Sequence, residues 1–213
     1  MPRPRFDHLD PDKRAQILLG AGREFAEHGY DGATISLILS HIGISTGAAY
    51  YYFDNKADLF RAVVEFHADR FVEQCGIRSD VDDVEMFWKR WDGLLQFVLG
   101  RGAELHGVLG ALRTTWKHSR ELRDDTELAR AFARAEAINL DLIRRGCELG
   151  AIRDDVPPTL LMRCMQAFNE AFDEWVAEQQ PEFGREQTVK LAAHMAGLLR
   201  SLLRAPRAGE PRC

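Results

Sequence analysis

Proline is missing from most of this chain. Its 8 prolines fall within the first eleven residues, at 157–158, at 181 and in the last eight of 213 residues. Long stretches are therefore free of the residue that most strongly breaks a helix. β-branched residues rarely alternate with polar ones, so strands have little support. Cysteine is sparse: Cys75, Cys147, Cys164 and Cys213 include no CxxC pair, which argues against a disulfide framework and for a reducing compartment. The 7 histidines form no HxxxH or HExxH pattern, so no metal and no cofactor is predicted. Clustered His, Cys or carboxylates at catalytic spacing are also missing, and the chain reads as a non-enzyme. Positive charge is not in excess. The net charge is -5, and any contact with nucleic acid must rest on a local surface. No apolar run approaches the ~18 residues of a membrane span, and no apolar stretch follows the basic start Met-Pro-Arg-Pro-Arg-Phe. The expectation is a soluble cytoplasmic protein.

What is present is helical periodicity. Apolar residues make up 46% of the chain, enough for one sizeable core or two small ones. Residues 1–9 read as a flexible arm. Asp10-Pro11 then suits an N-cap followed by proline at the first helical position. Ile17, Leu18, Ala21 and Phe25 share one face, and Gly29 stops that helix at a left-handed position. Thr34 caps a short second helix with Ile35, Ile38 and Ile42 inward. Gly43 ends it, and Ser45 caps a third that runs to Tyr52. Asn55 caps a longer helix from Lys56 to about Gln74, with Asp58 at the third position. Further helices are predicted from Asp82-Asp83, over 103–117, over 125–149, from about Thr159, and over 185–204.

Two short helices joined by a tight glycine turn are the arrangement of helix-turn-helix DNA binding. Here the joint is His41-Ile42-Gly43-Ile44-Ser45. Gly43 can adopt the positive φ that lets the next helix leave steeply. That helix begins with small residues, Thr46 and Gly47, which permit close approach to a duplex, and its N-terminal dipole suits a phosphate. Tyr50, Tyr51 and Tyr52 offer hydroxyls to phosphates and rings to thymine methyls. The same tyrosines could instead form an amphipathic patch over a core. Successive helical positions lie about 100° apart, however, so at least one must be exposed. Lys56, opening the next helix, is placed as a phosphate clamp. Against this, the first 56 residues carry six Lys/Arg and seven Asp/Glu.

The stretch GYDGATISLILSHIGISTGAAYYYFDNKADLF resembles the N-terminal domain of the TetR family of bacterial transcriptional regulators. The matching positions are Gly29-Tyr30, Thr34, Ile38, Gly43-Ile44-Ser45-Thr46-Gly47, Ala48, Tyr50, Tyr51, Tyr52, Phe53, and Asn55-Lys56 with Leu59. Arg14, Ile17, Leu18, Ala21 and Phe25 match the usual first helix. Gly150 to Pro157 is similar to the family's link into its last two helices. Leu39 stands where alanine is usual, and Ala49 where a larger apolar residue is usual. A big-for-small exchange beside a small-for-big one conserves volume.

The resemblance implies an all-α fold. A three-helix helix-turn-helix domain over 10–70 precedes a larger helical ligand-binding and dimerisation domain over 71–204, with a flexible tail at 205–213. It implies a sequence-specific regulator that binds double-stranded operator DNA through Thr34, Ser45, Thr46, Gly47, Tyr50, Tyr51, Tyr52 and Lys56. It also implies repression relieved by a small-molecule effector. Large apolar and embedded polar residues make Phe66, Trp91, His106, Trp116, Asn139, Met165, Phe168 and Asn169 the pocket candidates. The last helix is apolar over much of its circumference and needs cover on two sides. Phe172, Trp175, Leu191, Met195, Leu198 and Leu202 are therefore the expected homodimer contact. A helical enzyme or metalloprotein, which would need the clustered ligands this chain lacks, an adaptor with no ligand response, an activator, and a central helix in a monomeric core are the competing readings.

Overall fold

The computed structural model describes residues 4–41, 43, 51–75, 80–99, 103–179 and 185–205. Among these residues are nine helices: α1 (Pro4–Asp7), α2 (Pro11–Gly32), α3 (Ile35–His41), α4 (Lys56–Cys75), α5 (Val84–Leu99), α6 (Ala103–His118), α7 (Thr126–Glu148), α8 (Pro158–Glu178) and α9 (Arg185–Leu203). Extended pairing among them is limited to one isolated bridge, Ile152 to Arg204. The chain is all-α, as its periodicity predicts.

Side-chain caps set the helix starts by accepting backbone N–H groups that have no partner within the helix. Asp10 accepts from the amides of Asp12 and Lys13, with Pro11 at the first helical position of α2. Asn55 accepts from Asp58 N–H at 2.9 Å and opens α4. Asp83 accepts from Met86 N–H before α5, and Asp125 accepts from Glu127 and Leu128 before α7. Gly29 has the predicted positive φ of 68°, but helical backbone resumes to Gly32, so the residue kinks α2 three positions before its end. Gly43, just past α3, has φ 73°, and its amide bonds Ser40 O at 3.1 Å. That is the backbone state a helix-turn-helix joint needs.

The helices form two compact units. The first contains Met1–Gln74 and Glu104–Ala135, and the second Cys75–Ala103 and Glu136–Cys213. In the first, Ile17, Leu18, Ala21 and Phe25 of α2 and Ile35 and Ile38 of α3 are buried with Phe53, Leu59, Phe60 and Val63. Leu112, Leu122, Leu128 and Phe132, far along the sequence, join that same core. α7 gives its first residues to this unit and its remainder to the second.

The second unit is built on Phe87, Trp88 and Trp91 of α5, packed with Leu142, Ile143, Leu161, Leu199 and Leu203. Gly146 lets α7 lie close to α5: a Cβ there would come within 2.7 Å of the Phe87 ring. The amides of Ala151 and Ile152 bond Gly146 O, Arg153 N–H bonds Leu203 O, and Ala205 N–H bonds Ala151 O. The link between α7 and α8 is thereby tied to the end of α9.

The N-terminal segment departs from a flexible arm. From Pro4 onward it makes the turn of α1, and Phe6 is only 2% exposed. Its ring packs on Phe53 at 4.8 Å and edge-on to Tyr52 at 6.0 Å. The sequence signal is weak because a lone aromatic between prolines has no periodicity to announce its burial.

Candidate nucleic-acid interface

Ser45, Thr46, Gly47 and Tyr50 of the expected recognition helix lie outside the described residues, as do Ile42, Ile44 and Ala49 and the side chain of Leu39. What frames that helix is described on both sides. Before it, Thr34 is exposed and its carbonyl accepts Ile38 N–H at the start of α3, and Gly43 makes the turn. At its end, Tyr51 and Tyr52 have helical backbone and Phe53 ends the run fully buried. The rotation argument about the tyrosines is met. Tyr51 is 47% exposed, whereas Tyr52 is half-buried against Phe6. The two rings meet edge-to-face at 5.1 Å.

Lys56 has a structural task alongside its expected role at a phosphate. Its Nζ donates to Tyr30 O at 2.6 Å and Ala33 O at 3.1 Å, and sits 4.2 Å from the Tyr30 ring centroid. A cation at the C-terminal end of a helix meets the negative end of its dipole and its unpaired carbonyls. Lys56 therefore ties the end of α2 to the start of α4.

Polar links hold the same region to the segment before α7. Tyr30 is 2% exposed and its hydroxyl donates to Glu121 at 2.7 Å. Burial and the Glu121 carboxylate push that phenol well above its ordinary pKa, so it stays a donor. Arg61 of α4 bonds both Asp58 and Asp125. Burial alone would push the Asp125 carboxyl up, but the Leu128 amide and the Arg61 guanidinium outweigh it and hold the group below the usual carboxylate range. A further link, Arg23 to Glu104, joins α2 to α6. Sequence reasoning missed Glu121, Asp125 and Arg61, since pairings between residues 64 and 91 positions apart leave no local pattern.

The pocket candidates divide between the units. Phe66 and Trp116 pack on the first core, where Trp116 stacks on Phe132 and donates to Leu122 O. Trp91, Met165 and Phe168 belong to the second core, and Asn139 and Asn169 are half-buried in that unit. The side chain of His106 lies outside the described residues. Trp91 is 2% exposed, and its indole nitrogen has no hydrogen-bond partner among the described residues. Of the expected dimer contacts, Trp175, Leu198 and Leu202 are exposed and Phe172, Leu191 and Met195 half-buried. Among the described residues no group of His, Cys, Asp or Glu is arranged to hold a metal, and no helix is long and apolar enough to cross a membrane.

Among the described residues, capped α2 and α4 share one core with α3, a positive-φ turn follows α3, and an exposed tyrosine lies beyond it, the surroundings a helix-turn-helix requires. Residues 17–63 match the family of bacterial regulatory proteins, tetR family. The HTH-type transcriptional repressor Rv1474c of Mycobacterium tuberculosis is 32% identical over 168 residues, covering 77% of this chain and 81% of that protein. The HTH-type transcriptional repressor AcnR of Corynebacterium diphtheriae is 30% identical over 166 residues, or 75% and 78% of the two chains. The crystal structure of a TetR family transcription regulator from Marinobacter aquaeolei superposes with a TM-score of 0.62 at 24% identity, covering 91% of this chain and 96% of that one. The chain belongs to the tetR family: it is a helix-turn-helix transcriptional regulator.

Proposed function

We propose that the protein is a homodimeric repressor that holds operator DNA through residues 10–70 and releases it when a small molecule enters the part spanning 71–204. The observation that carries the repressor reading is the likeness to two proteins named as repressors over about four-fifths of their own length. Thr34, Ser45, Thr46, Gly47, Tyr50, Tyr51, Tyr52 and Lys56 are the assigned DNA contacts, with Tyr51 reading bases. The exposed Trp175, Leu198 and Leu202 on α8 and α9 supply the apolar face for a partner copy. A two-fold dimer would place its recognition helices about one duplex turn, ~34–36 Å, apart. A reducing cytoplasm suits the free thiols of Cys147 and Cys164.

The orphan indole of Trp91 supports an effector site in the second unit. A buried donor without a partner loses its hydration for no return, and a ligand acceptor can restore the bond. The effector is then a moderately hydrophobic molecule carrying a carbonyl, carboxylate or ether oxygen. α4 carries Arg61, whose partner Asp125 caps α7, and α7 continues into the second unit. Movement of α7 on ligand binding would pull on this pair and shift the helix that begins at Lys56. A coupling of ~1–3 kcal/mol suffices for roughly 5–150-fold weaker operator binding.

Selection of duplexes from a random library, followed by transcription from a promoter carrying the selected site, tests the proposal. The expected site is near-palindromic, and added protein lowers transcription. No sequence preference, or a rise in transcription, would overturn it.

A further inference from the structure

We propose that Arg5 is a DNA-contacting residue, positioned by the burial of Phe6 and by its cation–π contact with Tyr51, so that the N-terminal segment is a built part of the operator surface. This rests on the DNA-binding reading above and extends it to a segment outside the helix-turn-helix.

Three observations carry it. Phe6 is buried against Tyr52 and Phe53, at the end of the expected recognition helix, and its carbonyl accepts Leu9 N–H. This anchors the backbone of its neighbour Arg5 beside that segment. Second, the Arg5 guanidinium lies 4.7 Å from the centroid of the exposed Tyr51 ring. A cation over a ring is held without a hydrogen-bond acceptor, so the guanidinium keeps N–H donors whose fork matches phosphate oxygens. Third, neighbouring cations have protein partners. Lys56 is held by Tyr30 O and Ala33 O, Arg23 bonds Glu104, and Arg14 lies 3.9 Å from Asp7. No carboxylate among the described residues pairs with Arg5, which is exposed. With six basic against seven acidic residues in the first 56, a guanidinium left for DNA at this position matters to the local field.

The partner is a backbone phosphate of duplex DNA beside the half-site that Tyr51 reads. A guanidinium already ordered by its ring contact loses less freedom on binding than a free side chain would.

The test uses the full-length protein, the duplex that the wild type selects from a random library, and a mixed-sequence duplex of equal length, with binding measured across a salt series. Arg5→Gln should weaken binding to both duplexes by about tenfold. It should also make the dependence of log K on log salt shallower by ~0.9 per protomer. Phe6→Ala should reproduce most of the loss, and combining it with Arg5→Gln should add little, because both remove the same contact. Arg5→Gln changes an exposed side chain, so its melting temperature should match the wild type even where Phe6→Ala lowers it. Wild-type affinity and salt slope in Arg5→Gln would overturn the inference, as would altered base preference with an unchanged slope. Failure of the wild type to bind any duplex would instead indict the DNA-binding reading itself.

Discussion

Replacing Gly22 by alanine probes the packing that carries the DNA-binding helices. Gly22 lies inside α2, and a Cβ there would stand 2.4 Å from Cε1 and 2.7 Å from Nε2 of His67 on α4. The imidazole cannot simply swing away. It is 2% exposed, and its Nδ1 donates to Val63 O at 2.8 Å. Forcing a methyl into such a space costs ~1–3 kcal/mol. Alanine in a helix interior returns up to ~1 kcal/mol over glycine. The net expectation is a loss of ~1–2 kcal/mol, which for a chain of this size lowers the melting temperature by roughly 2–8 °C. Urea and thermal unfolding of four proteins resolve the cause: wild type, Gly22→Ala, His67→Ala and the double variant. In the His67→Ala background the added methyl enters vacated space, and Gly22→Ala should there be neutral or stabilising by ~0.5–1 kcal/mol. Equal destabilisation in both backgrounds, or a stabilised single variant, would refute the argument that the His67 ring sets the approach of α2 to α4.

Burial holds the His67 pKa below its ordinary value, despite the bond to Val63 O. The unfolded chain then takes up the proton more readily. This contribution to stability is full above the ordinary histidine value of about 6.5 and is lost as pH falls through the folded-state pKa. Urea midpoints between about pH 7.5 and 5 should fall in the wild type and fall less in His67→Gln. Lys56→Met should destabilise the free protein by about 1–2 kcal/mol, because Tyr30 O and Ala33 O lose a charged donor. A Lys56 that served phosphate alone would leave denaturation in the absence of DNA unchanged. Leu198 is 57% exposed, and Leu198→Glu should yield monomers by sedimentation while the monomer's helix content stays as in the wild type. Loss of fold would place that face in the internal core.

Features set by neighbouring residues were legible in the sequence. Asp10, Asn55 and Asp83 cap where their spacing predicts, and Gly43 adopts the positive φ of the turn. Ile17, Ala21 and Phe25 are buried at their helical spacing, as are Phe87 and Trp91. Pairings between distant segments were not legible. Nothing near Tyr30 announces Glu121, nothing near Gly22 announces His67, and Lys56 reads as a surface cation until the end of α2 folds against it. The expected arm shows the limit from the other direction. Arg5 and the flanking prolines suggest solvent, and only tertiary structure shows Phe6 wedged on Phe53.

The first unit is discontinuous in sequence, and this decides how such a regulator can be taken apart. A cut after residue 74 would give a fragment with the whole helix-turn-helix but without Val108, Leu112, Leu122, Leu128, Ala131 and Phe132, which are buried in its core. It would expose the apolar surfaces those side chains cover and lose Glu121, which accepts from Tyr30, and Asp125, which accepts from Arg61. A chimera that keeps the first unit but borrows another protein's second unit therefore needs three junctions: near residues 74 and 104, and within α7 between Ala135 and Glu136. The last junction falls inside a continuous helix, so the donor's helix must be joined in phase. One inserted residue would turn everything beyond it by about 100°. The two units can be exchanged only as interleaved pieces.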